Sequence, residues 1–490
     1  MNARCKTWWI GMLGVIPLSA CATSQPLNPD EVTIFPTPSH AWLGDPMPFY
    51  DEGVFEIFYL HDARDGATGF HPWALMQTQN FYEYEDVGEV IPYVDDVEDQ
   101  ELALGTGSVI KVGDVYHAFY TGHNGYLNPK EAIMHATSSD KVNWTKIPGD
   151  TFFASPQYNH NDFRDPYVFY NEEEAKYWML ITTRKNNQGV IALYTSKDLK
   201  IWQDEGVLFE NDMGSDSNLE CPTLLKFGDY WYLSFSDQWP DRQVHYRIAK
   251  SPKGPFERPE RDVFDGAGFY AGRLEKSEDE LFVFGWVPTK FDYLDEKEFD
   301  WAGNLVVHQL IQQDDGTLNP QPVTEMVNQF KAKLPLNVVT KSSGVQVKKN
   351  NYTFSGSGYE TVIFPEMDEL NKITGQINVK DQGNLFGFTF NVIDGIGSLN
   401  IVFNRNTNQL EFYNVKQSEI SKTDPQIVVP LEIKNGTALN YTLIVENMVA
   451  ALYINDEIVL TTRMFNMPQS EWGLFSLDSH VEFTDVELYQ

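Results

Sequence analysis

The chain has 490 residues, more than one ordinary domain holds, so we expect two domains. Hydrophobic residues make up 42% and aromatic residues 14%, which is enough for large cores and favours β-structure. The 36 Lys and Arg residues against 70 Asp and Glu residues give a formal charge of −34. This charge argues against nucleic acid as a partner, because phosphates need a basic surface, and it does not conflict with a neutral glycan.

The first twenty residues have the pattern of a targeting segment. Arg4 and Lys6 form a positively charged start, and residues 8–17 form an apolar stretch that is too short for a stable membrane anchor. The next four residues, Leu-Ser-Ala-Cys, resemble a bacterial lipoprotein signal that ends at Cys21. An ordinary signal peptide with a small-residue cleavage site is the alternative interpretation.

The lipoprotein interpretation makes residues 1–20 a signal peptide, Cys21 the lipidated first residue of the mature chain, and residues 21–35 a polar tether. We therefore expect the protein in the cell envelope, at the bacterial outer membrane or in the periplasm, with the lipid anchor as its membrane contact. Cleavage removes Cys5 and acylation occupies Cys21, which leaves Cys221 as a free thiol. We interpret Cys221 as a small buried residue rather than as a nucleophile.

Residues 36–325 contain a repeated β-pattern. A Thr-Ser start followed by an Asp and a Trp occurs twice, and the closing residues Trp144 and Trp202 are 58 positions apart. Strand-rich blocks begin at similar intervals, at Asp45, Gly107, Asp165, Glu220 and Tyr270. A period of this size is typical of propeller blades, so we predict a five-bladed β-propeller, whose innermost strands line a central channel.

The pattern of predicted strands and turns changes after the propeller region. Residues 326–339 are predicted to connect the two domains. From 340 to 490, short alternating strands separated by polar turns predict a β-sandwich. The expected fold class is therefore all-β, a five-bladed propeller followed by a C-terminal sandwich. We expect the sandwich to support the propeller, because it contains no distinct aromatic platform for sugar.

Three tripeptides place a carboxylate at the start of a strand-rich block. They are Gly44-Asp45-Pro46, Arg164-Asp165-Pro166 and Glu220-Cys221-Pro222. Two carboxylates that flank a sugar acetal are sufficient for glycoside hydrolysis, since one protonates the leaving oxygen and the other attacks or activates water. A third can bind hydroxyl groups. Because inner propeller strands meet at one mouth of the channel, we expect the three acids to share one pocket.

These motifs, in this order, resemble glycoside hydrolase family 32, the β-fructosidases. The segments that carry the resemblance are 42–46, 107–109, 119–122, 163–166, 220–222, 284–286 and 301–305. The resemblance implies the predicted propeller and sandwich. It also implies a retaining, exo-acting β-fructosidase that acts on sucrose or on fructans such as levan and inulin, with no cofactor and no metal.

The resemblance also implies roles for the three acids. Asp45 would be the nucleophile, and we expect backbone amide and hydroxyl groups to keep it ionised. Glu220 would act first as general acid and then as general base. Asp165 would bind sugar hydroxyls and stabilise the transition state. Substrate-binding candidates are Arg164, Trp73, His61, His71, Ser108, Tyr270, Arg273 and Trp239.

The chain departs from the family pattern at several positions. Gly44 stands where an Asn is usual, and Leu60 stands where a Gln is usual. Both changes remove polar groups that would touch the sugar, which affects the identity of the sugar more than hydrolysis itself. Arg273, where Pro-Gln is the commoner pattern, is a candidate replacement ligand.

Two other functions remain open from the sequence. One is an inverting glycosidase that resembles family 43 and acts on arabinofuranosides or xylosides, since that family has the same five-bladed fold and three carboxylates. The other is a surface lipoprotein that binds glycans without catalysis. Fructosyl transfer cannot be separated from hydrolysis by sequence.

Overall fold

The computed structural model describes residues 32–64, 71–380, 384–434, 436 and 438–490. The predicted signal peptide, the lipidation site Cys21 and most of the predicted tether lie outside these residues. Strands make up most of the described chain, so the predicted all-β class is confirmed. None of the helices formed by the described residues has the length and apolarity needed to cross a membrane.

In the described part of the N-terminal region, nineteen strands follow each other in five groups along the chain. The first group is β1 (Trp42–Asp51), β2 (Val54–Asp62), β3 (Trp73–Thr78) and β4 (Glu85–Ile91). The second group is β5 (Ala103–Val112), β6 (Val115–His123), β7 (Glu131–Ser138) and β8 (Trp144–Lys146). The third group is β9 (Phe163–Asn171), β10 (Lys176–Lys185), β11 (Gln188–Ser196) and β12 (Gln203–Glu210). The fourth group is β13 (Leu219–Phe227), β14 (Tyr230–Asp237) and β15 (Val244–Ala249), and the fifth is β16 (Tyr270–Lys276), β17 (Leu281–Lys290), β18 (Phe299–Gln312) and β19 (Leu318–Gln321).

Each group is an antiparallel meander in which strands that are consecutive in the chain pair with each other. The second, third and fourth groups are separate sheets, whereas the first and fifth are joined where β1 pairs with β18, at Leu43 and Gly303. Central strands such as β17 are apolar along nearly their whole length and buried throughout, because neighbouring sheets cover both of their faces.

The first strand of every group carries a β-bulge near its start. In four of them a residue other than glycine takes a left-handed backbone conformation, with φ of 44° at Asp45, 58° at Asp165, 52° at Cys221 and 50° at Ala271. A bulge redirects a side chain out of the regular alternation, and a left-handed backbone costs energy for residues with a Cβ. These strained bulges therefore aim the side chains at the strand starts toward a common cavity.

A short helix, α1 (Thr324–Val327), links the N-terminal sheets to the C-terminal strands. These strands are β20 (Lys333–Leu334), β21 (Thr340–Lys341), β22 (Gln346–Lys348), β23 (Asn351–Thr353), β24 (Tyr359–Glu366), β25 (Leu370–Val379), β26 (Leu385–Ile393), β27 (Ile396–Asn404), β28 (Gln409–Tyr413), β29 (Ile427–Pro430), β30 (Ala438–Glu446), β31 (Val449–Ile454), β32 (Ile458–Arg463), β33 (Glu471–Leu477) and β34 (Val481–Tyr489). Within the described residues, 3₁₀ turns span Pro148–Asp150, Phe291–Tyr293 and Gln417–Lys422.

The C-terminal strands form two antiparallel sheets that share one core. The first has the order β22-β23-β34-β25-β30-β31-β32, with β20 on β34, and the second has the order β21-β24-β33-β26-β27-β28-β29. Ile373 and Leu443 of the first sheet and Phe386 and Trp472 of the second are buried in the same cluster. This is the two-layer arrangement that a β-sandwich requires.

The C-terminal sheets hold the connection between β17 and β18. The Asp295 carboxylate in this connection accepts hydrogen bonds from the backbone amides of Phe465 (2.8 Å) and Asn466 (2.9 Å). The Asn414 side chain donates to the Asp295 carbonyl at 2.6 Å. The buried Arg463 guanidinium donates to the carbonyl of Pro288 at 2.6 Å. The C-terminal sheets therefore fix the hairpin whose second strand, β18, contributes to the cavity described next.

Candidate active site

The three predicted acids lie on one cavity of about 470 Å³. Asp45 comes from β1, Asp165 from β9 and Glu220 from β13, so residues far apart in sequence meet at the starts of neighbouring strands. We call this cavity the inner pocket. A second cavity of about 480 Å³, the outer pocket, is lined by Arg184 and Trp239.

Glu220 lies where the two cavities join. It lines both the inner and the outer pocket, together with Glu131, Arg164 and Gln238, whereas Asp45 lines the inner pocket. An acid at the junction can reach an oxygen that connects a group in one pocket to a group in the other. An acid in the inner pocket can reach only the group held there.

The Asp45 carboxylate accepts two side-chain hydrogen bonds, from Thr106 Oγ1 at 2.8 Å and from Trp286 Nε1 at 3.2 Å. Burial, followed by the negative charges of Asp165 and Glu220, raises the pKa of Asp45 to about 7, and the two hydrogen bonds only partly oppose this shift. The expectation that Asp45 stays ionised is therefore met only above about pH 7.

The Glu220 carboxylate is oriented by two neighbours. Tyr270 donates its hydroxyl proton to Oε2 at 2.7 Å, and Arg164 donates to Oε1 from Nη2 at 2.8 Å. Arg164 also contacts Asp162 at 3.0 Å and Glu131 at 3.6 Å, so one guanidinium is shared by three carboxylates. Charge-assisted bonds of this kind are short and directional, and they fix the position of the Glu220 oxygens.

Asp165 is also fixed by hydrogen bonds. Its carboxylate accepts hydrogen bonds from the Cys221 amide at 3.0 Å and from Thr182 Oγ1 at 3.2 Å. Burial raises the pKa of Asp165 above its ordinary value, while the neighbouring Arg164 opposes that change. Cys221 itself is buried, as the sequence predicted, and burial raises the pKa of its thiol.

Four of the predicted substrate-binding residues line the cavities. Arg164, His71 and Tyr270 lie on the inner pocket, and Trp239 lies on the outer pocket. Trp239 is 37% exposed, and the guanidinium carbon of Arg184 lies 5.5 Å from the centroid of its ring. These four residues and the three acids were predicted from the sequence, and all of them line the cavities.

The other four predicted binding residues line neither cavity. Trp73 is fully buried in the core between the first two groups of strands, and the Ser108 hydroxyl accepts a backbone N–H from β9. Arg273 is buried, and its Nη1 donates to a backbone carbonyl at 3.1 Å. His61 is partly exposed on β2. The sequence pattern does not reveal which residues near the acids line the cavities and which are used in packing.

Sequence reasoning missed Arg242, which lines the inner pocket. Its guanidinium carbon lies 4.3 Å from the ring centroid of Tyr270 and 5.2 Å from that of Trp286. The Asp237 carboxylate accepts the Gln243 amide at 2.5 Å and so tightens the turn, in which Arg242 has φ of 54°. No motif marks this turn, and a lone Arg in a polar connection gives no signal of its own.

Trp301, the first residue of one segment in the family-like pattern, also lines the inner pocket. Its ring stacks on His71, with centroids 4.4 Å apart and an interplanar angle of 26°. It meets Trp286 edge to face at 6.0 Å. The sequence indicated the segment but assigned no role to this side chain.

The chemistry of the site follows from its groups. Two carboxylates and a fixed third acid, with guanidinium and phenol donors beside them, suit acid–base and nucleophilic attack at an acetal carbon. In the described ranges, no group of three or more His, Cys, Asp or Glu side chains is arranged to hold a metal ion.

The family model for the glycosyl hydrolases family 32 N-terminal domain matches residues 36–322. The chain belongs to glycosyl hydrolase family 32. This confirms the family that the motifs predicted, and with it the prediction of an enzyme of the glycosidase class. The matched range covers all five groups of strands from β1 to β19.

Curated relatives are distant. The sucrose-6-phosphate hydrolase of Escherichia coli is 26% identical over 312 residues, which cover 59% of this chain and 63% of that protein. The raffinose invertase of Escherichia coli is 25% identical over 340 residues, which cover 64% of this chain and 69% of that protein. The chain thus spans a little under two thirds of the length of the first of these relatives.

Solved structures match over nearly the whole chain. The sucrose-6-phosphate hydrolase from Lactobacillus gasseri has a TM-score of 0.72 at 19% identity, covering 94% of this chain and 92% of that one. The Bombyx mori family 32 β-fructofuranosidase has a TM-score of 0.69 at 19% identity and covers 95% of both chains. The likeness therefore includes the C-terminal sheets and shows that the fold is shared.

Proposed function

We propose that the protein is a retaining, exo-acting β-fructosidase that hydrolyses sucrose or fructans such as levan and inulin. Membership of family 32 supports this proposal, as do relatives named for sucrose and levan, including the levanase of Bacillus subtilis, 28% identical over 202 residues. The observation that carries it is the position of Glu220 at the junction of two pockets, with Asp45 inside one of them.

In the first step the ionised Asp45 carboxylate attacks the anomeric carbon of the sugar in the inner pocket. The bond from that carbon to the glycosidic oxygen breaks, and Glu220 gives its proton to the departing oxygen. In the second step Glu220 takes a proton from water, the water oxygen attacks the same carbon, and the ester to Asp45 breaks. Asp165 accepts hydrogen bonds from sugar hydroxyls throughout.

The two pockets divide the substrate at the scissile bond. The terminal sugar occupies the inner pocket, where Asp45 reaches its anomeric carbon, and the leaving sugar occupies the outer pocket. There Trp239 offers an exposed ring on which a sugar can stack. The size of the inner pocket, about 470 Å³, supports cleavage from the chain end.

The finer features of architecture and location belong to the same proposal. The five bulged first strands, at similar intervals along the chain, support five propeller blades around a central channel. The signal-like sequence before Cys21 supports a lipid anchor and a place in the cell envelope. A fructan at the cell surface suits an anchored exo-acting enzyme.

Sugar release by the chain from Gln25 onward tests the function. The substrates are sucrose, inulin, levan, aryl arabinofuranosides and aryl xylosides. Chromatography identifies the products. We expect fructose release that is lost in Glu220→Gln and kept in Glu172→Gln, whose carboxylate is exposed on the β9–β10 turn. Release of arabinose or xylose instead favours the family 43-like alternative. The absence of any product, with glycan binding retained, favours the non-catalytic alternative.

The stereochemistry is read in the same experiment. A retaining enzyme releases fructose first as the β-furanose anomer, which nuclear magnetic resonance detects before mutarotation. Initial release of the α-anomer contradicts the nucleophilic role of Asp45 and favours an inverting mechanism.

A further inference from the structure

We propose that Trp301 sets the glycone specificity of the inner pocket, and that the pocket accepts furanosides lacking the hydroxyl group that faces this indole. The inference rests on the proposed function, since it concerns the sugar bound beside Asp45. It concerns a side chain that sequence reasoning left without a role.

The first observation is the space beside Gly44, the residue just before Asp45. A Cβ atom at position 44 would lie 2.3 Å from both Cη2 and Cζ2 of Trp301, a distance that real side chains do not adopt. The indole therefore fills the volume that any larger residue at position 44 would need. Gly44 and Trp301 form a reciprocal pair next to the nucleophile.

The second observation is that Trp301 cannot move aside easily. Its ring lies between the stacked His71 ring and the Trp286 indole, which itself donates to Asp45. Its backbone carbonyl accepts a hydrogen bond from Thr289 Oγ1 at 3.1 Å and another from the Arg64 guanidinium. A ring fixed by stacking and by its backbone is part of the wall of the pocket.

The third observation is the contrast between the apolar and the charged groups of the pocket lining. Leu60 pairs directly with Gly44 in the sheet and is buried in the lining, and Leu104 lies on the same lining. These two side chains offer a sugar no hydrogen bond. The Arg164 and Arg242 guanidinium groups of the same lining can donate hydrogen bonds. Sugar hydroxyls that face the guanidinium groups can therefore be hydrogen-bonded, whereas the part of the wall next to Gly44 acts by its shape.

The size of the expected effect follows from this contrast. A wall built from carbon atoms discriminates by shape, roughly 10- to 200-fold for a small group, whereas a wall that hydrogen-bonds a hydroxyl rejects the analogue without it by about 10⁴-fold or more. A glycone that lacks the hydroxyl facing Trp301 leaves no buried polar group unpaired. The enzyme should accept such a glycone at modest loss.

The test uses an aryl β-D-fructofuranoside and its analogues deoxygenated at each hydroxyl in turn. For the wild-type protein we expect one analogue to keep kcat/KM within about 200-fold of the parent, and the others to lose about 10⁴-fold. If every analogue loses about 10⁴-fold, the inference is wrong although the proposed function stands. If the parent itself releases no fructose, the proposed function fails first, and the inference with it.

Variants test whether Gly44 and Trp301 cause the tolerance of the deoxygenated analogue. Gly44→Asn alone should lose turnover, because its side chain collides with the indole. Gly44→Asn combined with Trp301→Gly removes the collision and adds an amide, so the tolerated analogue should become at least 10-fold worse relative to the parent. The measured quantity is the ratio of kcat/KM for the tolerated analogue to kcat/KM for the parent. If this ratio is unchanged in the double variant, the inference is wrong.

Two further variants keep the test decisive if the double variant unfolds. Trp301→Phe retains an aromatic ring on His71 and should change the ratio for the tolerated analogue alone, with the change mainly in KM. Trp239→Ala, in the outer pocket, should alter the response to the leaving group and leave that ratio as in the wild type. Equal effects of both variants on the ratio contradict a specific role of Trp301.

Discussion

Replacing Asp45 by Asn should stabilise the protein while abolishing turnover. Burial and two neighbouring acids raise the pKa of Asp45 from 3.8 to about 7. A shift of roughly three units corresponds to about 4 kcal/mol of unfavourable free energy for the ionised form in the folded state. The amide carries no charge and keeps one acceptor, and the hydrogen bond that it loses costs about 1 kcal/mol. The net gain is about 3 kcal/mol at pH 8.

The gain depends on pH in a defined direction. Because the folded state binds the Asp45 proton more tightly than the unfolded state, the contribution of this group is fully present below about pH 3.8 and is lost as pH rises to about 7. The Asn variant does not titrate at this position. The variant's advantage in free energy of unfolding over the wild type should therefore increase from pH 4 to pH 7. At pH 5 it should still be smaller than about 1 kcal/mol.

Calorimetry at pH 5 and pH 8 measures this difference. With an unfolding entropy of roughly 1 kcal/mol/K for a chain of this size, the variant should unfold about 3 °C higher than the wild type at pH 8. Asp229→Asn, an exposed position on the β13–β14 turn, is the matched control and should shift the midpoint at neither pH. A variant that is no more stable at pH 8, or equally shifted at both pH values, would refute the reasoning.

Three other results are expected. Below about pH 7, kcat/KM for an aryl fructoside should fall about tenfold per unit, because Asp45 must be ionised to attack; a flat profile from pH 5 to 7 contradicts this. Cys21→Ala should move the full-length protein from the membrane fraction to the soluble fraction, and unchanged partitioning argues against the lipid anchor. Asp295→Ala removes an acceptor of two backbone amides and should lower stability by about 2 kcal/mol, measured by urea unfolding; an unchanged midpoint contradicts the support role of this carboxylate.

The sequence predicts the all-β class and the location of the acids well because both depend on local patterns. Asp45, Asp165 and Glu220 each precede or occupy a bulge at the start of a strand, and the repeat length indicates that these starts are equivalent. Equivalent strand starts in a repeated architecture lie close together. Convergence of the three acids could therefore be inferred before any coordinate was known.

The lining of the pocket was harder to predict, because it depends on which face of a strand a residue occupies. Trp73 and Ser108 have the right residue types and lie near the acids in sequence, yet both point into packed interfaces. Arg242 lies in a polar turn and reaches the pocket through a left-handed backbone conformation. A shift of one residue reverses the face, so residue type alone cannot decide such assignments.

The Gly44 substitution illustrates why departures from a family pattern need a structure. In the sequence it is only the loss of a polar group beside Asp45. In the fold it is the partner of Trp301, which occupies that space and comes from β18, at the other end of the N-terminal region. The hairpin that carries Trp301 is tied to the C-terminal sheets through Asp295. The packing of the C-terminal sheets should therefore affect the inner pocket through this indole, and we expect a change in that packing to alter the proposed glycone preference.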